Sequence, residues 1–61
     1  MTHIQPSINV EYSIESYNGS FWEQEYRFDR IEEAIKEMKM MKQSLPKKKF
    51  RLIRSEWQVI D

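Results

Sequence analysis

An α+β fold in the order β-β-α-β is what this sequence predicts, and three observations predict it. Asp29 to Leu45 carries apolar residues at helical spacing. Ser7 to Ser16 alternates apolar and polar residues as a half-buried strand does. Two further runs rich in aromatic and β-branched residues, at about 20–28 and 49–60, flank the helical stretch and complete a sheet for it to cover. The expectation is a single domain over 1–61, with strands at about 7–16, 20–28 and 49–60 and one amphipathic helix at about 30–44.

The helix is the firmest element. Ile31, Ala34, Ile35, Met38, Met41 and Leu45 recur every three or four residues, which gathers them into one arc of roughly 120°. Asp29 is placed to cap the first turn, with Glu32 three residues on as its capping-box partner. Acidic residues early and lysines late suit the helix dipole. Pro46 disfavours helical geometry at Leu45, so the helix should end near Ser44. Met40 falls about 180° from Ile31 and points to solvent, as single exposed methionines often do.

In the first strand Ile8, Val10, Tyr12 and Ile14 share one face and Asn9, Glu11, Ser13 and Glu15 the other. Tyr17-Asn18-Gly19 signals a hairpin, after which Trp22, Tyr26 and Phe28 alternate with Glu23, Glu25 and Arg27. A two-residue turn would set Ile14 against Glu23 and Val10 against Arg27, placing charge in the core. A three-residue loop with Gly19 in the left-handed region instead pairs Ser16 with Ser20. Ile14 then faces Trp22, Val10 faces Tyr26 and Ile8 faces Phe28. The same register sets Glu11 across from Glu25, an unfavourable pairing unless a base such as Arg51 lies beside it.

The last strand, FRLIRSEWQVI, alternates imperfectly. Phe50 and Leu52 fit one face, while Ile53, Trp57 and Val59 fit the other. Either a bulge near Arg54 or Ser55 changes the phase and sends Trp57 and Val59 inward, or these residues join Phe21 and Tyr17 on the uncovered side of the sheet. At least part of that apolar strip is expected to be exposed, although monomers usually avoid one. Placing this strand beside the first gives the order 2-1-3, antiparallel throughout, which is favoured because antiparallel pairs are the commoner kind.

Composition narrows the function classes. The chain has no cysteine and one histidine, His3, in a lead-in, Met1 to Pro6, that lacks periodicity and is expected to be loose. Thiol chemistry and disulfides are therefore excluded, and a serine triad has no placed base. Gly19 is the only glycine, so a phosphate-cradling loop is excluded too. Neither a membrane span nor a signal peptide is visible, and a cytoplasmic setting is expected. No cofactor or metal is expected, and paired carboxylates on an open strand of so short a chain offer no catalytic cleft, so an enzyme is not expected.

Formal net charge is zero, yet residues 1–35 carry seven acids against two bases, and residues 36–61 eight bases against three acids. Such a chain either presents acidic and basic sides to charged partners or pairs its halves so that they cancel. The basic stretch Lys47, Lys48, Lys49, Arg51 and Arg54, with Phe50 and Trp57 nearby, has the makings of a single-stranded nucleic-acid binder. Zero net charge and four glutamates on the same sheet oppose that use.

The run from Trp22 through Tyr26, Phe28, Glu32, Glu33, Ala34 and Ile35 to Phe50, Arg51, Leu52, Ile53 and Arg54 resembles small accessory proteins encoded by bacteriophages. The pattern is an aromatic strand, "F-D-x-x-E-E-A-I" opening a helix and "F-R-L-I-R" opening a strand, over about two thirds of the chain. The resemblance implies a product that binds a host or phage protein, host-defence proteins included, and inhibits or redirects it. It assigns no residue a role.

The functional expectation is thus a protein-binding module acting through the open sheet face and neighbouring edge. Glu11, Glu15, Glu23 and Glu25 would form an acidic rim beside Phe21, Ile53 and Trp57, with Trp57 or Phe21 as anchor. Homodimerisation through that face is a close variant. Nucleic-acid binding through Lys47 to Arg54 is the alternative.

Overall fold

The computed structural model describes residues 7–59. Met1 to Pro6, including His3, and the expected strand end at Ile60 lie outside these residues. Strand β1 (Ser7–Tyr17) is followed by β2 (Trp22–Phe28), helix α1 (Ile31–Ser44) and β3 (Phe50–Val59). The three strands form an antiparallel sheet in the order β2-β1-β3, as the sequence predicts.

β1 and β3 pair without interruption from Ser7↔Val59 to Ser16↔Phe50. There is accordingly no change of phase near Arg54 or Ser55, and Ile53, Trp57 and Val59 share a face with Asn9, Ser13 and Tyr17. The opposite face carries Tyr12, Ile14 and Ser16 beside Phe50 and Leu52, and α1 covers it. Ile14 and Ser16 are wholly buried there.

The β1–β2 register differs from the sequence expectation. Tyr17 pairs with Trp22, Ile14 with Tyr26 and Tyr12 with Phe28, so the pairs Ile14–Trp22, Val10–Tyr26, Ile8–Phe28 and Glu11–Glu25 do not form. Two local features explain the shift. The Asn18 side chain accepts from the amides of Ser20 at 2.9 Å and Phe21 at 3.0 Å, and the Asn18 amide donates to the Phe21 carbonyl at 3.1 Å. Together they close a four-residue loop in which Gly19, at φ 100°, takes the left-handed conformation. Beyond it, a bulge opposite Ile14 and Glu15 leaves Glu25 without a cross-strand partner. Trp22 therefore faces away from the helix while Tyr26 and Phe28 face towards it.

Helix α1 starts one residue later than expected. Arg30, extended at φ −118° and ψ 134°, is the N-cap and makes no side-chain capping bond, so the Asp29 capping box does not form. Its carbonyl accepts from the Ala34 amide at 3.3 Å. The end falls at Ser44, with the Leu45 amide bonded to the Met41 carbonyl at 2.9 Å.

The buried arc is also narrower than the periodicity implies. Ala34 is fully buried, and Met38 and Met41 half-buried, whereas Ile31 and Ile35 remain 41% and 40% exposed. Ala34 has the smallest side chain on the arc, so the helix lies against the sheet along that line and tilts both isoleucines towards solvent.

Length explains what stays bare. Fourteen helical residues span about 21 Å, whereas the eleven residues of β1 span about 36 Å. The helix, entered from Phe28 and leaving towards Phe50, covers the Tyr12–Ser16 half of the central strand. Ser7–Glu11 and Ser55–Val59 continue beyond it as a two-stranded ribbon. The result measures 56 × 25 × 10 Å, with a radius of gyration of 15.4 Å against roughly 10 Å for a compact chain of this length.

Candidate functional site

The face away from α1 is built from alternate residues of all three strands. At the hairpin end the Tyr17 and Trp22 rings lie 5.3 Å apart, and the Arg51 guanidinium sits 4.3 Å from the Trp22 ring centre. Arg51 Nε also donates to Glu15 at 2.6 Å. The Lys49 ammonium lies 5.9 Å from the Tyr17 ring. Further along come Ser13 and Ile53, then Glu11 with Arg27 at 3.7 Å, and finally Trp57 and Val59, which are 46% and 49% exposed.

The surface is thus striped: an aromatic cluster, an ion pair, an aliphatic residue, a second ion pair and a terminal Trp-Val pair. No described element lies over it. Each carboxylate has a guanidinium at hand, so the face presents apolar area between charges that already compensate each other.

The four glutamates expected to form an acidic rim are not brought together. Glu11 and Glu15 lie on the open face, paired with Arg27 and Arg51. Glu23 takes the register position opposite Ser16 and accepts from the Asn18 side-chain amide at 2.9 Å. Glu25 accepts from the buried Ser16 hydroxyl at 2.5 Å, on the helix side of the sheet. The four-residue loop shifts the register so that Glu25 no longer falls opposite Glu11, and the bulge then turns Glu25 out of the alternation of β2. Glu25 instead lines an open groove of about 360 Å³ with Tyr26, Met40, Met41, Leu45 and Phe50.

Of the expected apolar contacts, Ile53 and Trp57 lie on the open face, while Phe21 is exposed in the β1–β2 loop next to Trp22. Sequence reasoning missed Trp22, which the alternation of FWEQEYRF had assigned to the covered side. Only the bulge reveals its true face.

The basic stretch is likewise divided. Lys47 and Lys48 lie in the turn after α1, while Arg51 and Arg54 point to opposite faces by alternation. Arg54 donates to Glu56 at 2.8 Å, and Glu56 first, then the Tyr12 hydroxyl, raise its pKa above the usual guanidinium value.

Compared with known proteins, the chain matches no family model, and neither a curated protein nor a solved structure matches it significantly. Among the described residues, no helix is long and apolar enough to cross a membrane.

Proposed function

We propose that this chain is a non-enzymatic protein-binding module and that its open sheet face is the binding surface. The observation that carries the reading is the exposure of Trp57 and Val59 in line with Ile53 on a face that no described element covers. Contiguous exposed apolar surface rimmed by polar residues is a feature of interaction sites. Tryptophan is also the residue most enriched among interface anchors.

The flanking pairs Glu11–Arg27 and Glu15–Arg51 supply orientation rather than net attraction. Their charges balance, so a partner is selected by where its own charges fall. The resemblance to phage accessory proteins supports a narrower form of the proposal, in which a cytoplasmic host protein, a host-defence factor among the candidates, is bound and inhibited or redirected.

The test compares captures from a cell lysate by the native chain, by Ile53→Lys/Trp57→Lys, and by the helix-surface control Lys36→Glu/Gln43→Lys. Proteins retained by the native chain and the control but lost with the open-face variant support the reading. An identical set with all three overturns it.

A further inference from the structure

β2 ends at Phe28, opposite Tyr12, whereas β1 begins five residues earlier at Ser7. Along Ser7–Glu11, β1 is hydrogen-bonded to β3 on one side only, and its other edge has no partner among the described residues. We propose that a second copy of this chain occupies that edge, with Ser7–Glu11 of the two copies pairing antiparallel about a two-fold axis at Asn9.

The segment is self-complementary in that register. Ile8 falls opposite Val10 of the second copy, and Val10 opposite Ile8 of the second copy, forming a four-residue apolar cluster on the helix side. There Ile8 is now 62% exposed. Asn9 meets Asn9 of the second copy on the other side. No like charges face each other, and apolar cross-strand pairs are the stabilising unit of a sheet. An isologous contact of this kind closes at two copies.

Three observations favour a second copy over another occupant. Ser7–Glu11 holds no lysine, proline or bulge, three of the devices that block edge pairing, and its one charged residue, Glu11, is paired with Arg27. The ribbon it forms with β3 is two-stranded and no described element covers it, an arrangement of marginal stability by itself. The chain is electrically neutral, so two copies approach without net repulsion.

The geometry has a consequence for the open face. Antiparallel pairing keeps corresponding faces on the same side, so both helices lie on one side and both open faces merge on the other. Trp57, Asn9, Asn9 of the second copy and Trp57 of the second copy fall in one row. At strand spacing the two tryptophans stand about 14 Å apart. The pairing does not depend on capture of another protein, and it is tested on purified protein alone.

Because the chain has no cysteine, Asn9→Cys provides a clean probe. Directly paired residues have Cα separations of about 4.5–5.5 Å, within disulfide range. Mild oxidation is expected to cross-link Asn9→Cys rapidly and the helix-surface control Gln43→Cys slowly. Sedimentation at micromolar concentration is expected to give twice the chain mass for the native protein and the single-chain mass for Asn9→Asp and for Ile8→Lys/Val10→Lys. Circular dichroism establishes that each variant keeps its fold. A single-chain mass for the native protein, equal cross-linking rates, or a dimer that survives these changes and is lost with Trp57→Lys would overturn the proposal.

Discussion

The Arg51 guanidinium lies 4.3 Å from the centre of the Trp22 ring while its Nε donates to Glu15 at 2.6 Å. One β3 side chain thereby ties both other strands together across the open face. Arg51→Ala should lower stability by about 1 kcal/mol, combining an exposed cation–π contact with an exposed ion pair. Arg51→Lys should recover only part of this, because an ammonium lacks the planar fork. Urea midpoints of the three proteins check it, and the tryptophan emission should shift in Arg51→Ala.

The core rests on very few side chains. Ile14 and Ala34 are the buried apolar residues among those described. Ile14→Ala should cost about 2–4 kcal/mol, a large share of the roughly 3–9 kcal/mol expected for a 61-residue domain. Ile35→Ala, at a site already 40% exposed, should cost less than about 1 kcal/mol. Thermal unfolding followed by circular dichroism separates the two.

The hairpin loop depends on backbone conformation more than on packing. Gly19 has φ 100°, and a Cβ there would meet no atom within 4 Å, so Gly19→Ala isolates conformational cost, about 1–2 kcal/mol. Asn18→Ala should lower stability by a similar amount, about 1–2 kcal/mol, by freeing the Ser20 and Phe21 amides. Faster hydrogen exchange confined to the loop and adjoining strand ends is the expected signature at both positions.

Charge reversal should act by face. Glu23→Lys/Glu25→Lys alters the loop and the helix side, so it should leave capture of the partner protein unchanged. Glu15→Lys removes the pair with Arg51 on the open face and should weaken capture. Quantitative recovery from the same lysate measures both effects.

Element order and strand order were legible because Ser7–Ser16 alternates cleanly and Ile31–Met41 keeps helical spacing. The shared parity of Ile53, Trp57 and Val59 was legible, but whether a bulge turned Trp57 and Val59 inward was not, and the unbroken register of β3 against β1 leaves them on the open face. The β1–β2 register was not legible either. FWEQEYRF alternates as though unbroken, and nothing in it announces a bulge at Glu25. Burial of charge correctly ruled out the two-residue turn, but the chain resolves the conflict with a four-residue loop and a bulge rather than with a three-residue loop. The acidic rim failed for the same reason, because a single extra residue in β2 exchanges the faces that its two ends present. Aspartate at position 29 was a sound capping residue by type. The extended backbone of Arg30 moves the helix start one step past its reach.

The chain's two tryptophans, Trp22 and Trp57, both lie on the open face, so fluorotryptophan labelling gives two fluorine NMR signals that report on that surface alone. When a captured partner protein is added, both signals should shift or broaden as the face is covered. Binding demonstrated by mass while both signals keep their positions and widths would contradict a functional role for the open face.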